Sequence, residues 1–540
     1  MSPPMARVQE RAYDRRWLIL VVLCFSLLVI VLDNTILNVA IPTIVRDLDA
    51  TNSQLQWIID AYTLVFAGLL LTAGSLGDRF GRRGALQVGL TLFGIGSLAS
   101  ALAGSASVLI VTRAFMGIGG AFIMPATLSI ITNLFPAQER GRAIGVWAGT
   151  AGLAGVLGPL VGGFLLQHFY WGSVFLVNIP IVILGLLAGV FLIPTSKDPS
   201  APRLDPLGAV LSIAGLSSLL YGIIEAPQDG WGAPKILVAF VVGAVLLVGF
   251  VAWERRTDHP MLDVRFFKNP RFTAASSGIT FVFFALFGAI FVITQYFQFV
   301  LGYSPLETGV RYLPWAGLTM FVSPWSARLV ERFGTKRVVT TGLTLVAIGL
   351  ASFTTLDASS SYGAAVWRMA FFSIGMGLTM APATESIMSA LPLGKAGVGS
   401  AVNDTTRQVG GALGVAVIGS VLSSVYGTRI GNFLARNPVH ASVSNMKQSL
   451  GYTLGVAASL HKSGAALAST AKDAFVTGMH YGVVVAAGVA LLGAIVAMRW
   501  LPARARREDV AAQEAEYERG AARHAPATGA VVPETERVEA

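Results

Sequence analysis

Charged residues inside long apolar segments are the part of this sequence that could do chemistry. Asp33, Asp60 and Arg113 lie in such segments early in the chain, and Asp404 and Arg407 share one near its end. A charge in hydrocarbon is costly, so a carboxylate there can bind and release a proton, and a guanidinium there needs an anionic partner. We expect these five residues to carry proton coupling, with Asp33 as the partner of Arg113.

A purely structural role stays open for the acids. Asp33 and Asp60 lie equally far from a hairpin centred near residues 46–47 and would reach a similar depth in an antiparallel helix pair. Neighbouring hydroxyl or amide groups could simply hydrogen-bond them. Asp404 lies three residues before Arg407, so these two could form a neutral pair on one helix face rather than a proton switch.

The overall composition is that of a membrane protein. Of 540 residues, 54% are hydrophobic and only 13% are charged, against roughly 25% in soluble proteins, and the mean hydropathy is +0.66. The net charge of +10 does not indicate nucleic-acid binding, because the basic residues concentrate in alternate loops. The single Cys24 allows no intrachain disulfide, and no nucleotide-binding loop, catalytic triad or metal-ligand cluster is recognisable. We expect no enzyme, no cofactor and no metal, with the proton gradient as energy source.

Fourteen apolar segments are long enough to cross a bilayer, which takes about 20 residues. The predicted spans are 17–40, 53–75, 85–104, 108–134, 142–166, 173–193, 205–224, 235–253, 272–300, 306–327, 336–355, 364–390, 397–424 and 477–501. Loops rich in lysine and arginine alternate with loops that hold few, and the basic loops of a multi-pass protein face the cytoplasm. Both termini would then be cytoplasmic, in the plasma (inner) membrane of a bacterium. We expect the lipid bilayer as a partner, no nucleic acid, and a monomer.

An internal repeat at an offset of 253 residues divides the chain into two halves. Residues 78–81, Asp-Arg-Phe-Gly, align with residues 331–334, Glu-Arg-Phe-Gly. Arg113 aligns with Arg368 at a slightly larger offset, and Arg368 would need Asp357 or water as its partner. The predicted organisation is a cytoplasmic tail at 1–16, a six-helix half at 17–193, a linker at 194–271 with two inserted spans, a six-helix half at 272–501 with an outer loop at 425–476, and a disordered cytoplasmic tail at 502–540. Parallel repeats of this kind place a substrate site between the halves.

A charged, glycine-containing loop at 74–86 marks one membrane surface. A weaker copy lies at 327–337. We expect both loops to act as a conformational latch, with Asp78 docking near Lys395 and Glu331 docking near Arg142 at helix N-termini. The predicted latch residues are Gly74, Asp78, Arg79, Gly81, Arg82, Arg83, Glu331 and Arg332.

Several motifs in the same order resemble the major facilitator superfamily, and in particular its fourteen-helix drug:proton antiporter branch. The resembling stretches are the signature loop at 74–86, a first-helix motif at 32–42, a fourth-helix motif at 113–121 and a Trp…Phe…Asn-x-Pro stretch at 171–180. The resemblance covers about 17–501 and implies an all-α, multi-pass major facilitator fold. It also implies proton-driven export of amphipathic drugs or natural products, and a proton-relay role for Arg113.

The fifth span carries a glycine- and proline-rich stretch that resembles the antiporter motif of the same branch. Its residues are Gly155, Gly158, Pro159, Gly162 and Gly163. Small residues at helical spacing let a neighbouring helix approach closely, and this packing is expected in any case. The functional interpretation adds that the seam blocks proton leak and serves as a pivot.

Aromatic residues and glutamines on the ninth span predict part of a substrate cavity. They fall near one helix face, and glutamine there argues against a stripe that merely faces lipid. Packing alone remains the alternative. Together with a tryptophan on the second span they would suit a flat, lipophilic or cationic small molecule. The full predicted cavity set is Asn34, Asn38, Trp57, Phe284, Phe287, Phe291, Gln295, Gln298 and Glu385.

The favoured interpretation is a proton-coupled exporter of amphipathic small molecules that operates by alternating access. A dedicated exporter of one endogenous metabolite or antibiotic differs from it only in specificity. An uptake symporter and a membrane receptor without flux are more distant alternatives. The fifth-span motif argues against the symporter, and the duplicated core is hard to explain in a receptor.

Overall fold

The computed structural model describes residues 13–135, 137–195, 205–258, 260, 264–388, 390, 396–439, 441–460 and 464–502. Every regular element within these ranges is a helix. The predicted tails at 1–16 and 502–540 lie almost wholly outside the described residues. The predicted all-α class is confirmed for the part of the chain that the structure covers.

Long helices follow one another through the described chain. Their bounds are α1 Arg16–Leu48, α2 Asn52–Phe80, α3 Arg82–Ala101, α4 Ala106–Leu134, α5 Ala137–His168, α6 Ser173–Leu192 with a break at Val177, α7 Pro206–Asp229, α8 Pro234–Glu254, α9 Pro270–Gln295, α10 Pro305–Phe333, α11 Thr335–Ser352, α12 Tyr362–Met388, α13 Ala396–Arg436, α14 Val443–Gln448, α15 Leu450–Ser459 and α16 Gly464–Trp500. A π-helical turn, Tyr296–Val300, prolongs α9. A 3₁₀ helix, Val264–Lys268, precedes α9, and another, Phe353–Thr355, follows α11.

Eleven helices in the described ranges are long and apolar enough to cross a membrane. Each predicted span falls on one long helix. The segment 425–476 was predicted as an outer loop of which part could be a helical hairpin, and its described residues are largely helical, because α13 runs on to Arg436 and α16 already begins at Gly464. Between them lie the short helices α14 and α15, which Tyr426 of α13 anchors by donating a hydrogen bond to Thr453 at 2.8 Å.

The local signals that begin and end helices recur at the repeat offset of 253 residues. Thr51 and Ser304 each accept a hydrogen bond from the backbone three residues on and so cap α2 and α10. Gly81 and Gly334 end the same two helices with φ of 126° and 83°, a backbone region that favours glycine. The tight turn predicted within 74–86 is therefore a single glycine between α2 and α3.

Glycines also set the helix packing in both halves. A side chain at Gly89 of α3 would meet the carbonyl oxygen of Gly119 of α4, and a side chain at Gly342 of α11 would meet that of Gly375 of α12. The helices therefore approach closely enough that only glycine fits. The two pairs are equivalent in the repeat.

Two lateral seams join helices from the first and second halves of the chain. One seam is between α2 and α13, and the other is between α5 and α10. Helices α7 and α8 pack on each other, and α7 also lies against α2 and α13. The inserted pair thus sits beside one seam rather than between the halves.

We call the helix ends near residues 79–83, 255–271 and 331–337 the basic end, and the ends near 49–51, 301–304 and 437–463 the far end. Close contacts join the halves toward the far end. Gln298 of the π-helical turn donates to the backbone oxygen of Val39 at 3.0 Å. A side chain at Gly451 of α15 would touch both Val45 of α1 and Phe299.

Candidate functional site

A buried ion pair between Asp33 and Arg113 forms the centre of the first half. Arg113 Nη1 lies 2.5 Å from Asp33 Oδ2, with side-chain exposures of 0% and 1%. The partner that the sequence predicted for Arg113 is therefore present. Two opposite charges buried in this way depend on each other, because either one alone would be strongly destabilising.

Asn178 of α6 occupies the second carboxylate oxygen of Asp33. Its amide donates to Asp33 Oδ1 at 3.0 Å and lies 3.1 Å from the hydroxyl of Ser97. That hydroxyl in turn donates to the backbone oxygen of Phe175 at 2.8 Å. Neither Asn178 nor Ser97 was among the predicted site residues. The Asn-x-Pro stretch at 178–180 was the available signal, since an asparagine buried in a membrane helix needs a polar partner.

Helix α2 holds the other side of Arg113. Its Nε donates to the backbone oxygen of Ile58 at 3.3 Å, and its guanidinium lies 4.3 Å from the ring centre of Tyr62. An aromatic face stabilises a buried cation without supplying an anion. Arg113 Nη2 has no hydrogen-bond partner among the described residues. One donor of the guanidinium is thus left over when Asp33 is fully engaged.

Asp60 is equally buried but stands apart from this pair. It is 0% exposed, and neither carboxylate oxygen has a partner in the part of the chain that the structure describes. Ile58 and Tyr62, which contact Arg113, lie two residues to either side, so Asp60 points about 160° away from them on the helix. One turn earlier, Gln56 donates to the backbone of α13. Asp33 and Asp60 are therefore two separate sites rather than one carboxylate pair.

Asp404 and Arg407 form a second, looser pair on α13. Arg407 Nη1 lies 3.9 Å from Asp404 Oδ1, and Arg407 Nη2 donates to Thr384 of α12 at 3.1 Å. The guanidinium also lies 5.4 Å from the ring centre of Phe283 on α9. The pairing predicted from the i,i+3 spacing is present. It lies near the start of α13, toward the basic end.

Arg368, the repeat mate of Arg113, has a different set of partners. It donates to the backbone oxygens of Ser352 and Ala364 and to the hydroxyl of Thr355. The prediction that Asp357 could neutralise it is wrong, because that carboxylate accepts hydrogen bonds from Ser359 and Ser360 within its own turn. The buried acid–arginine pair occurs in the first half but not at the equivalent arginine.

The aromatic stripe of α9 faces α13 for most of its length. A side chain at Gly414 of α13 would meet the backbone of Phe284, and one at Gly411 would meet the ring of Phe287. Phe287 also stacks on Phe283 at 6.0 Å. Phe287 is half-buried, whereas the other residues predicted for this stripe are buried.

The two glutamines do not extend this stripe as predicted. Gln295 is buried and donates back to Phe291 of its own helix at 3.2 Å. The π-helical turn changes the residue spacing, and Gln298 contacts α1 through Val39 instead. Gln298 therefore joins the two halves rather than lining the aromatic face.

Trp57 is separated from the α9 stripe, which corrects the predicted cavity. It packs with Leu64 of α2 and Leu220 of α7, and its indole N–H donates to Glu225 of α7 at 3.2 Å. The inserted helix supplies this acceptor, which motif spacing could not reveal. Glu385, the remaining acid of the predicted set, is exposed on α12.

The asparagines predicted to line the cavity bond along their own helix. Asn34 donates to the backbone oxygen of Ile30 at 3.0 Å, and Asn38 donates to that of Asn34 at 2.9 Å. Asn38 is buried, whereas Asn34 is half-buried. Both amides therefore bond along α1, the helix that carries Asp33.

The glycine-rich stretch of α5 is a double seam. A side chain at Gly158 would collide with Thr35 of α1, and one at Gly162 would press closely against Ile36. A side chain at Gly163 would meet the backbone of Leu306 on α10. Across the same seam, a side chain at Gly309 would meet the carbonyl oxygen of Pro159. No described atom lies within 4 Å of the position at Gly155. The predicted close approach is confirmed, and it joins α5 to both halves at once.

Only part of the latch predicted at 74–86 lies within the described residues. Gly74 lies against Pro125 of α4, Arg82 is buried, and Arg83 donates to the backbone oxygen of Ile193 at 3.4 Å. Arg79, Glu331 and Arg332 are exposed. The side chains of Asp78, Lys395 and Arg142 lie outside the described residues, so docking of the latch stays a prediction.

Relatives of known description match almost the whole chain. It is 36% identical over 488 residues to the multidrug efflux pump LfrA of Mycolicibacterium smegmatis, which covers 90% of this chain and 96% of that protein. The tetracenomycin C resistance and export protein of Streptomyces glaucescens is 32% identical and covers 90% of this chain and 91% of its own length. The methyl viologen resistance protein SmvA of Salmonella typhimurium is 34% identical, covering 91% and 99%.

Solved structures share the fold at lower identity. A bacterial homolog of the human lysosomal transporter Spinster, in an inward-facing and unoccupied conformation, superposes with a TM-score of 0.65 at 21% identity, covering 91% of this chain and 99% of that one. The inward-open xylose transporter XylE of E. coli gives 0.56 at 15%, covering 92% and 99%. Residues 23–415 match the Major Facilitator Superfamily directly. With that match, relatives at 32–36% identity across nine tenths of its length, and the predicted helical architecture, the chain belongs to the Major Facilitator Superfamily of membrane transporters.

Proposed function

We propose that this protein is a proton-coupled antiporter that exports amphipathic or lipophilic compounds across a bacterial plasma membrane by alternating access. Fourteen helices cross the membrane in this proposal, as two six-helix halves with α7 and α8 inserted, and both termini are cytoplasmic. The observation that supports it most is the Asp33–Arg113 pair, which is fully buried and has a hydrogen-bond partner for each carboxylate oxygen.

Protonation of Asp33 is the proposed coupling step. In the ionised state its carboxylate holds Arg113 Nη1 from α4 and Asn178 from α6, so one negative charge ties three helices together. A proton on Asp33 removes that charge and weakens both contacts. Arg113 then relies on the Ile58 backbone oxygen and the Tyr62 ring, both on α2. Proton binding thus shifts the balance of contacts from α1 to α2.

Substrate binding is proposed beside α9, at the side that carries Phe283 and Phe287 and lies near Asp404 of α13. Half-buried Phe287 and the Arg407-facing ring of Phe283 offer stacking surfaces there, and Asp404 offers a negative charge to a cationic ligand. The functions named for the relatives, multidrug efflux and methyl viologen resistance, agree with a lipophilic and partly cationic substrate class. Asp60 is a further buried carboxylate, on α2 one helical turn from Gln56, which contacts α13.

One relative favours a narrower specificity as the second candidate. The tetracenomycin C resistance and export protein carries the name of a single antibiotic, and it matches nine tenths of this chain. A dedicated exporter of one natural product would use the same proton site. The two candidates differ only in how many compounds the protein exchanges for protons.

Purified protein in proteoliposomes tests the proposal. A pH gradient is imposed, and a panel of lipophilic cations and neutral aromatic compounds is added while the internal pH is followed with a trapped dye. We expect several compounds to dissipate the gradient in a protein-dependent way. Dissipation by one compound alone would indicate the dedicated exporter. Compound uptake without any proton movement would overturn the antiport proposal.

A further inference from the structure

The outward face of α8 is apolar and touches no other helix in the described chain. Val241, Val245 and Val248 are each more than 60% exposed, and their spacing places them along one side of the helix. The opposite side packs on α7, where Gly243 fits against Leu219. An exposed valine stripe on a membrane helix is covered by lipid chains.

This stripe leads into a groove at the basic end of α8. The groove encloses about 370 Å³ and is lined by Leu247, Val248, Val251, Ala252 and Arg255. The described part of its wall is apolar except at Arg255, where the helix ends. The groove therefore has an apolar body and one cationic end.

A second cavity adjoins the groove and shares Arg255 with it. It encloses about 450 Å³ and is lined by Arg255, Val264, Phe267 and Lys268. That volume is within the range of about 300–1,000 Å³ that small-molecule sites occupy. Two cations thus face one cavity at the level where the apolar groove stops.

The two cations have no ion-pair partner among the described residues. Two acids close in sequence lie toward α7: Asp205 accepts from the indole N–H of Trp253 at 2.8 Å, and Glu254 is buried beside Gly208 of α7. Exposed Asp258 is the other described acid close in sequence. Within the described ranges, therefore, the cavity is lined by two cations and no acid pairs with either of them.

The floor of the cavity is held in place by α9. The Phe267 ring meets the Phe272 ring edge-on at 5.2 Å, and the Phe267 backbone oxygen accepts a hydrogen bond from Thr273 at 2.6 Å. Phe272 is fully buried. Because Phe267 is anchored in this way, the 3₁₀ helix that presents Lys268 has a fixed position below the end of α8.

We propose that this groove and cavity bind an anionic phospholipid of the membrane leaflet at the basic end. The phosphate and its headgroup occupy the cavity between Arg255 and Lys268, and an acyl chain lies along Leu247, Val248 and Val251. Basic pockets beside membrane helices recognise anionic headgroups in this way. The lipid would link the inserted helix pair to the start of α9. This site lies away from the residues proposed for transport.

Native mass spectrometry of the detergent-purified full-length protein tests the site. Phosphatidylglycerol or phosphatidylcholine is added at equal concentration, and bound lipids are counted. We expect phosphatidylglycerol to bind about tenfold more tightly, since each basic residue adds to the attraction for an anionic lipid. The double variant Arg255→Gln/Lys268→Gln should lose this preference.

A matched variant removes the same charge elsewhere on the basic end. Arg256→Gln/Arg337→Gln changes two exposed residues that line neither cavity, and it should keep the wild-type preference. Val248→Gln should weaken binding of long-chain but not six-carbon phosphatidylglycerol. Equal loss in both double variants, or displacement of the lipid by glycerol phosphate alone, would overturn the lipid site. The measurement uses no gradient and no substrate, so its outcome is independent of the proposed antiport.

Discussion

At the scale of single residues, the contrast between Arg113 and Arg368 carries the argument for Asp33. Both arginines lie on equivalent helices of the repeat, and both are buried. Backbone oxygens and a threonine hydroxyl satisfy Arg368. A membrane arginine can thus be accommodated here without a carboxylate. This contrast supports the proposal that Asp33 does more than neutralise Arg113 and is the site of the coupled proton.

Asn178 should act as a positioning residue for Asp33. Asn178→Leu removes the donor to Asp33 Oδ1 and leaves that oxygen buried without a partner, a cost of about 1–3 kcal/mol. We expect a lower unfolding temperature in detergent and a displaced pH profile of export. Asn437→Leu is the control, because this exposed asparagine bonds only to its own helix. An unchanged pH profile in Asn178→Leu would argue against the positioning role.

At the scale of elements, the α5 seam shows how one helix can serve two partners. Gly158 and Gly162 lie against α1, which carries Asp33, while Gly163 lies against α10 of the other half. Because α5 packs against both helices, a shift of α1 on protonation would change the contact between α5 and α10. The same glycines that permit close packing also place the proton site one helix away from a seam between the halves.

Adding one methyl group to this seam should be costly at one glycine and harmless at another. The new carbon of Gly158→Ala would lie 1.9 Å from the Thr35 hydroxyl, and overpacking of this kind costs about 1–3 kcal/mol. We expect reduced export and a lower unfolding temperature. Gly155→Ala, three residues away, has no described atom within 4 Å and should behave like wild type. Similar effects from the two variants would contradict the seam.

The turn before α12 gives a negative control for the pH dependence. Hydrogen bonds from Ser359 and Ser360 lower the pKa of Asp357, which is fully exposed. A lowered pKa adds stability that is present above the unfolded-state value and is lost only as the pH falls through the folded-state value. Asp357 therefore stays ionised from pH 5 to 8, and Asp357→Asn should leave the pH profile of export in that range unchanged. A shifted profile would place a proton-linked group in this turn.

The helices could be predicted from the sequence more completely than the contacts between them. Apolar length, capping residues and the glycine breaks specify each helix locally, and the ion pair of Asp33 with Arg113 followed from the cost of a lone buried charge. The partners of Trp57 and Gln298 could not be found in this way. Glu225, the partner of Trp57, belongs to an inserted helix that has no equivalent in the repeat. The π-helical turn shifts the direction of Gln298, and no residue type in the sequence predicts such a turn.

At the scale of the whole molecule, contacts close the far end between the halves. Val39 of α1 accepts from Gln298, and Gly451 of α15 touches Val45 and Phe299. Alternating access requires these contacts to separate when substrate leaves on that side. The seams at α2–α13 and α5–α10 flank this region and would accommodate the rocking motion.

A crosslink at the far end should block export reversibly. In a Cys24→Ser background, which removes the only natural cysteine, Val39→Cys and Gln298→Cys are combined and oxidised. We expect gradient-driven export to stop and to return after reduction, because the far end can no longer open. Either single variant should be unaffected by oxidation. Full export by the crosslinked protein would mean that the far end does not open during transport.

The most direct test of the account compares gradient-driven transport with simple exchange in Asp33→Asn. One set of everted membrane vesicles carries a proton gradient and measures accumulation. A second set has no gradient, is preloaded with substrate and measures exchange. The account predicts that Asp33→Asn loses gradient-driven accumulation but keeps exchange within about a factor of two, because protonation no longer occurs while the neutral side chain still lies beside Arg113. Asp47→Asn, an exposed acid on the same helix, should retain both activities. Accumulation at the wild-type rate in Asp33→Asn would contradict the assignment of the coupling proton to Asp33.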